Sequence, residues 1–390
     1  MEKHRKLYFI NSSLQGDVHE MIDTSMLVIF ATIYNCVDVY LLDGRMQVIL
    51  RGLEKITSKE VFNRVHFFKT HCISKMTTTI GAFIDAWLYI RSERDSICYF
   101  SSVNYLSVHI INFLCKILHK DVIICAHSEL SLITAPKAHY SHWWAYLVQR
   151  FFIKTAISKY LNIMVLGDQI LENVKTNMPN RSKYFFAYEH PYFTINQSSA
   201  KRHNWEGQHI KIGVIGSVSE SIERGFDNIL KFASMLNNEP VIEFRIIGRI
   251  PKRLAKMLPP NAKIYNDSDR LIPKDEYDEL VDELDYIYLP YPIGSFMHTA
   301  SGAILEALFK NKGIIMHRNA YSTYLAERYG EFGYFIDGLS KDEILSHLCN
   351  KSFHAQLTIN GLAVKNALTP LNVLNRFGTD YFEKQCQKRK

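Results

Sequence analysis

Along the first half of the chain, short runs of apolar, β-branched and aromatic residues alternate with longer stretches whose apolar positions recur at helical spacing. The runs KLYFI (6–10), VDVYLL (37–42), RVHFF (64–68), ICYFS (97–101), DVIICA (121–126), NIMVL (162–166) and KYFFAY (183–188) predict strands. Between them, 19–34, 74–93, 102–118 and 139–156 predict helices. Strands that are apolar throughout belong in a parallel sheet covered on both faces. Residues 1–193 therefore read as one α/β domain.

Residues 194–209, TINQSSAKRHNWEGQH, interrupt this pattern with polar and small residues and read as a linker. The alternation restarts with IKIGVIG (210–216), a helix from about 225, EFRIIG (243–248), KIY (263–265), a helix over 274–283 and DYIYLP (285–290). A helix from about 302, GIIMH (313–317), a helix over 320–329 and YFI (334–336) complete a second domain over 210–370. The tail, 371–390, predicts a C-terminal helix that packs back on the first domain and ends in QKRK. The expected architecture is two doubly wound domains facing each other across a cleft. Ligands of such sheets gather at the carboxyl ends of the strands.

Composition excludes several classes. With 390 residues, 47% hydrophobic and 22% charged, the chain matches ordinary globular proteins and not disordered or collagen-like ones. Seven cysteines, odd in number and spread from Cys36 to Cys386, fit a reduced cytoplasmic compartment better than a disulfide framework. The basic N-terminus has too short an apolar stretch (Leu7 to Ile10) for a signal peptide. No window approaches the ~20 apolar residues that cross a bilayer. The net charge of +7 is modest and spread out, which argues against nucleic-acid binding.

The most informative stretch is DYIYLPYPIGSFMHTASGAILEALFKNKGIIMHRN (285–319). A strand ends in Pro290, a loop follows, and Ser301-Gly302 opens a helix carrying Glu306. Ser301 suits the N-cap, and Gly302 leaves room for a ligand at the first free amides, an anion site favoured by the helix dipole. Glu306 lies about one turn in, where a carboxylate can accept from a ribose diol. Taken alone, Ser301 is a plain cap and Glu306 a solvated helix face.

Together these residues resemble the nucleotide-sugar site of the glycosyltransferase group 1 family, retaining enzymes of the GT-B fold, in its SG-x-x-x-EA variant. The resemblance implies a helix start that binds the donor diphosphate (Ser301, Gly302) and a glutamate that holds the ribose (Glu306). Many members carry another glutamate eight residues earlier, at the donor sugar; here that position is His298, which cannot replace a carboxylate as acceptor of two hydroxyls. Backbone groups around Phe296–Thr299 are then the alternative sugar contact. IGVIGSVSESIERGFDNILK (212–231) is similar to the family's glycine-rich strand end and basic-Gly pair, which implies donor contacts at Gly216, Ser217 and Arg224, the last through a fork suited to a pyrophosphate. EFRIIGRIP, with Gly248 and Arg249, resembles the strand whose loop lies against the base.

In the first domain, ICAHSEL (124–130) places His127 just past a strand, where family members often carry a histidine near the donor sugar. A satisfied loop histidine is the equal alternative. Glu129 is a solvated carboxylate, or else a group that orients His127 or acts at the acceptor. Gly16, after the first strand, leaves room for donor or acceptor, although the family's glycine pair is absent. His190-Pro191-Tyr192 reads as structural. The candidate catalytic residues are thus His127, Arg224 and His298; the substrate-binding ones are Gly16, Gly216, Ser217, Arg224, Gly248, Thr299, Ser301, Gly302 and Glu306.

Asp267-Ser-Asp269 has the spacing of a metal-binding DxD motif, but that motif belongs to a different fold. His139 and His142 share a helix face without a third ligand. No required metal and no cofactor is expected. The basic, aromatic stretch 137–160, with Trp143, Trp144, Phe151 and Phe152, is either a core helix or a contact with the membrane surface.

The resemblance covers about residues 210–340 closely and the first domain by layout. It implies a metal-independent enzyme that moves a sugar from a nucleoside-diphosphate donor to a saccharide or lipid-linked acceptor, in bacterial surface polysaccharide synthesis. Two alternatives stay open: a nucleotide-sugar epimerase of the same fold, and a non-catalytic binding protein at the membrane surface.

Overall fold

A computed structural model describes residues 6–12, 19–70, 77–133, 143–193, 210–219, 225–237, 239–266 and 272–388. The chain divides into two compact units. The first comprises Met1–Ile195, His298–Ala300 and Leu368–Lys390, and the second Asn196–Met297 and Ser301–Ala367. The expected linker, 194–209, lies outside the described residues.

The first unit runs β1 (Lys6–Asn11), α1 (Glu20–Ile33), β2 (Cys36–Leu42), α2 (Asp43–Ile56), α3 (Lys59–Phe62), β3 (Val65–Thr70), α4 (Thr77–Arg91), β4 (Ile97–Phe100) and α5 (Ser107–Leu118). It continues with β5 (Asp121–Cys125), a short 3₁₀ turn, α6 (Trp143–Lys154), β6 (Leu161–Leu166), α7 (Asp168–Asn177) and β7 (Phe185–Tyr188). The seven strands lie in the order β3-β2-β1-β4-β5-β6-β7, all parallel. The inner strands are apolar along their whole length because helices cover both faces: every residue of β4, β5 and β6 is buried.

The second unit runs β8 (Ile210–Ile215), α8 (Phe226–Met235), β9 (Ile242–Ile247), α9 (Lys252–Ala255), β10 (Ala262–Ile264), α10 (Lys274–Asp282) and β11 (Tyr286–Leu289). Then follow α11 (Gly302–Phe309), β12 (Gly313–Met316), α12 (Ala320–Tyr329), β13 (Tyr334–Phe335), α13 (Lys341–Cys349) and α14 (Lys351–Ala367). Its six parallel strands take the order β10-β9-β8-β11-β12-β13. Both orders reverse direction beside the first strand of the unit, the point where open α/β sheets form crevices.

The C-terminal tail is two helices, α15 (Pro370–Phe377) and α16 (Tyr381–Gln387), and not the single one expected. Gly378, at φ 85°, caps the first and breaks the run. Both belong to the first unit: Phe382 packs 5.1 Å from Phe30 and 4.9 Å from Tyr188, and Arg376 pairs with Glu189 at 3.0 Å. In α6, Phe151 and Phe152 are core residues. The Trp143 and Trp144 side chains lie outside the described residues.

Candidate functional site

In the second unit, two glycines bring the strand ends together. A Cβ on Gly248 would stand 2.1 Å from the Gly216 carbonyl oxygen, so the loops leaving β8 and β9 touch backbone to backbone. Val218 N–H donates to the Arg249 carbonyl at 2.9 Å and fixes that contact. Gly225, at φ 66°, meets the end of β11 in the same way: a Cβ there would lie 1.9 Å from the Pro290 carbonyl oxygen. That carbonyl accepts from Asn228 Nδ2 at 2.8 Å. Gly225 thus stitches the start of α8 to the strand that precedes α11. Arg224 itself, like Gly16, lies outside the described residues.

Ser301 is the N-cap of α11, accepting from Ile304 N–H at 3.3 Å. That bond occupies one of the orphan amides of the first turn; the amides of Gly302 and Ala303 precede the intrahelical ladder and face outward. Gly302 is exposed, and a Cβ built on it would meet no atom within 4 Å. The glycine therefore leaves an open approach to two amides at the positive end of the helix dipole.

Glu306 lies one turn further along, half-buried. It is not a solvated surface residue. Burial pushes its carboxyl up, while Lys274, Lys310 and a hydrogen bond from Tyr277 pull it back. Lys310 is held by Asp278 at 2.9 Å and Asp282 at 3.0 Å. The carboxylate is fixed within a network between α10 and α11.

His298, Thr299 and Ala300 group with the first unit. Asn177 Nδ2 lies 3.1 Å from His298 Nε2 and donates to it, leaving Nδ1 as the protonated nitrogen. Burial lowers the pKa of this ring, which keeps it neutral. Thr299 Oγ1 reaches its neighbour's carbonyl, Ala300, at 3.4 Å.

In the first unit, His127 leaves the end of β5 and is buried. Its Nε2 donates to the Ser101 carbonyl at 3.0 Å, which leaves Nδ1 as an acceptor. Burial takes its pKa down to about 4, with the Arg45 charge acting in the same direction and the Ser101 bond against it. Glu129 is not a solvated carboxylate: it caps the His127 backbone N–H at 2.9 Å. The His19 ring lies 4.4 Å from that of His127. His190 is also buried, and its pKa falls to about 3 for the same reason, aided by the nearby histidines.

Beneath these rings is a buried polar cluster. Arg45 pairs with Asp23 inside the core, and Asn11 Nδ2 donates to Asp23 at 3.0 Å and to Ser101 Oγ at 2.8 Å. Asp85, on α4, accepts from Ser12 Oγ at 2.5 Å and Ser107 Oγ at 2.6 Å. Burial pushes its pKa up to about 6, and the two hydroxyls pull against that shift.

Neither a protein-family model nor a curated protein matches this sequence. Solved structures do. HepE of Anabaena, in complex with UDP and glucose, superposes with a TM-score of 0.62 at 11% identity over 96% of this chain and 98% of its own. Sucrose-phosphate synthase of Thermosynechococcus elongatus gives 0.64 at 11% identity over 97% and 99%. WaaG, a glycosyltransferase involved in lipopolysaccharide biosynthesis, gives 0.57 at 11% identity over 97% and 99%. The fold is GT-B.

Within the GT-B units, the residues singled out from the sequence fall into separate groups. Gly216, Ser217 and Gly248 share one touching pair of strand ends, and Ser301, Gly302 and Glu306 lie on one helix. His127 sits with residues the sequence reading did not select: its ring lies against His19 and bonds the Ser101 carbonyl, and Asn11 links Ser101 to the Asp23–Arg45 pair. A polar residue at the carboxyl end of an apolar run was the available signal for Asn11 and Ser101. Asp23 and Arg45 carry no local signal, since each reads as an ordinary helix charge.

Proposed function

We propose that this chain is a glycosyltransferase that takes a nucleoside-diphosphate sugar as donor, with the diphosphate at the start of α11. The observation that carries the reading is the open approach at Gly302 to the first amides of α11, with Glu306 fixed one turn in. As the glycosidic bond lengthens, charge grows on the departing diphosphate. Aligned amides at a helix terminus stabilise that charge without reorganising, and so without a required metal. Glu306 would accept from the ribose hydroxyls, with Gly216, Ser217 and Gly248 allowing backbone approach to the nucleotide and Arg224 supplying positive charge. His127, neutral and with Nδ1 able to accept, would bond a sugar hydroxyl. Retention of configuration and a saccharide or lipid-linked acceptor rest on the resemblance to group 1 enzymes. The nucleotide of first choice is UDP, because HepE is seen with it.

A contact with the membrane surface is part of the proposal. No described helix is long and apolar enough to cross a membrane. The neighbouring helices α4, α5 and α6 instead expose Phe83 (64%), Trp87, Ile90, Phe113, Ile117 and Tyr146. Arg91, stacked 4.7 Å from Trp87, with Lys116 and Arg150, adds exposed positive charge to that layer. Apolar rings flanked by cations suit an anionic lipid surface.

His298 favours a second reading, a binding protein without transferase activity, since its Nε2 is already engaged by Asn177. Release of nucleoside diphosphate from UDP-, GDP- and ADP-sugars distinguishes the two. The transferase reading predicts release from one of them by the wild type and a loss of about 100-fold or more in Glu306→Ala, equal to about 3 kcal/mol of transition-state stabilisation. Binding of a nucleotide without any release supports the second reading.

A further inference from the structure

At the amino-terminal end of the first sheet, three side chains of different chemistry converge on one face. Cys36 and Asp38 are alternate residues of β2 and project to the same side, and His66 is the β3 residue paired with Asp38. Cys36 Sγ lies 3.5 Å from His66 Nδ1 and 3.5 Å from Asp38 Oδ1, and His66 Nδ1 lies 3.4 Å from the same oxygen. A tetrahedral zinc ion has bonds of ~2.3 Å to sulfur and ~2.0–2.1 Å to nitrogen and oxygen. Those bonds set sulfur about 3.5 Å from either other ligand and nitrogen about 3.3 Å from oxygen. The three atoms already stand at the separations of one face of such a tetrahedron.

We propose that Cys36, Asp38 and His66 form a binding site for a zinc-class divalent cation, with water as the fourth ligand. Soft sulfur, imidazole and carboxylate together suit zinc or cobalt better than magnesium or calcium. Lys6 lies 3.0 Å from the other carboxylate oxygen of Asp38 and 2.8 Å from Glu93. It holds the carboxylate from behind with Oδ1 turned toward the sulfur and the imidazole, as outer partners do in metal sites. Cys36 binds as thiolate, so each ion taken up releases the thiol proton.

The site lies about 16 Å along β1 from Asn11, at ~3.3 Å per residue, so it is remote from the buried histidine cluster. Its role is structural: β3 is the edge strand of the sheet, and an ion shared by Cys36, Asp38 and His66 ties that edge to its neighbour. The proposal is independent of the donor site.

The test is a titration of the full chain with Co²⁺, then displacement by Zn²⁺, with melting temperatures recorded alongside. Wild type is expected to gain thiolate-to-cobalt absorption in the near ultraviolet and strong tetrahedral bands in the visible, to release protons, and to melt higher with Zn²⁺. Cys36→Ser should lose the thiolate band, and His66→Ala should bind at least about tenfold more weakly, the loss seen even for outer partners of metal sites. His66 lies on the edge strand and is 53% exposed, and Cys36, the first residue of β2, is only partly buried, so the metal-free variants should melt as wild type does. Loss of the band in Cys36→Ser is what assigns it; among the described residues, the other free cysteines, Cys98, Cys115, Cys125 and Cys386, are buried. Absence of the band in wild type at millimolar cobalt overturns the proposal. So does its persistence in Cys36→Ser.

Discussion

Two buried titratable groups of the first unit respond to pH with opposite sign. Asp85 titrates near 6 in the folded chain, above an ordinary carboxyl, so the folded state binds its proton more readily. Its contribution to stability is complete below about pH 4 and is lost as pH rises through 6; two units correspond to on the order of 3 kcal/mol. His127 titrates near 4, below an ordinary histidine, so its contribution is present above about pH 6.5 and is lost as pH falls toward 4. Melting curves between pH 4 and 7 of Asp85→Asn and His127→Gln, each against wild type, separate the two. Asp85→Asn should lose part of the wild type's gain on acidification, and His127→Gln part of its loss. Parallel wild-type and variant profiles would contradict both assignments. The position of His127 was legible, because an apolar run ends just before it. Its surroundings were not: Ser101 meets it because β4 and β5 are neighbours in the sheet, and Asn11 of β1, Asp23 of α1 and Arg45 of α2 join behind Ser101 through the packing of helices on that sheet, which no local pattern records.

Among elements, the loops around α8 and α11 make the sharpest contrast. Gly225 has both a left-handed backbone and a carbonyl where its Cβ would go, so Gly225→Ala should destabilise by about 1–3 kcal/mol or more, seen as a fall in melting temperature. Gly302 has neither constraint, so Gly302→Ala should leave the melting temperature unchanged or slightly raised, since alanine favours a helix. An equal effect of the two substitutions would refute the open approach at α11. The Ser301 cap was readable because capping is local, a hydroxyl reaching an amide three residues on. Helix α13 carries an equally local signal that went unread: Ser340 and Glu343 form a capping box. Helix α7, DQILENVKTN, has too few apolar residues to stand out from its loops, and only packing on the sheet makes it a helix.

At the scale of the whole molecule, the strands of both sheets were legible, because buried parallel strands are apolar end to end and punctuate the chain, whereas α2, α7, α13 and α14 were not. The return of 368–390 to the first unit rests on long-range packing, such as Phe382 against Phe30 and Tyr188, and on Gly378 to turn the chain. The exposed layer of α4 and α5 makes a separate prediction. Wild type should float with vesicles containing anionic lipid and not with neutral ones, and Trp87→Ser with Phe113→Ser should abolish flotation; equal flotation of that variant would count against the surface. The central claim, a diphosphate at the start of α11, is tested most directly by calorimetric titration of UDP, GDP and ADP into wild type and Gly302→Ala, without divalent metal. The account predicts that one of them binds wild type and binds the equally stable Gly302→Ala at least about tenfold more weakly, a difference of ~1.4 kcal/mol. Failure of all three to bind wild type, or equal affinity for both proteins, would contradict it.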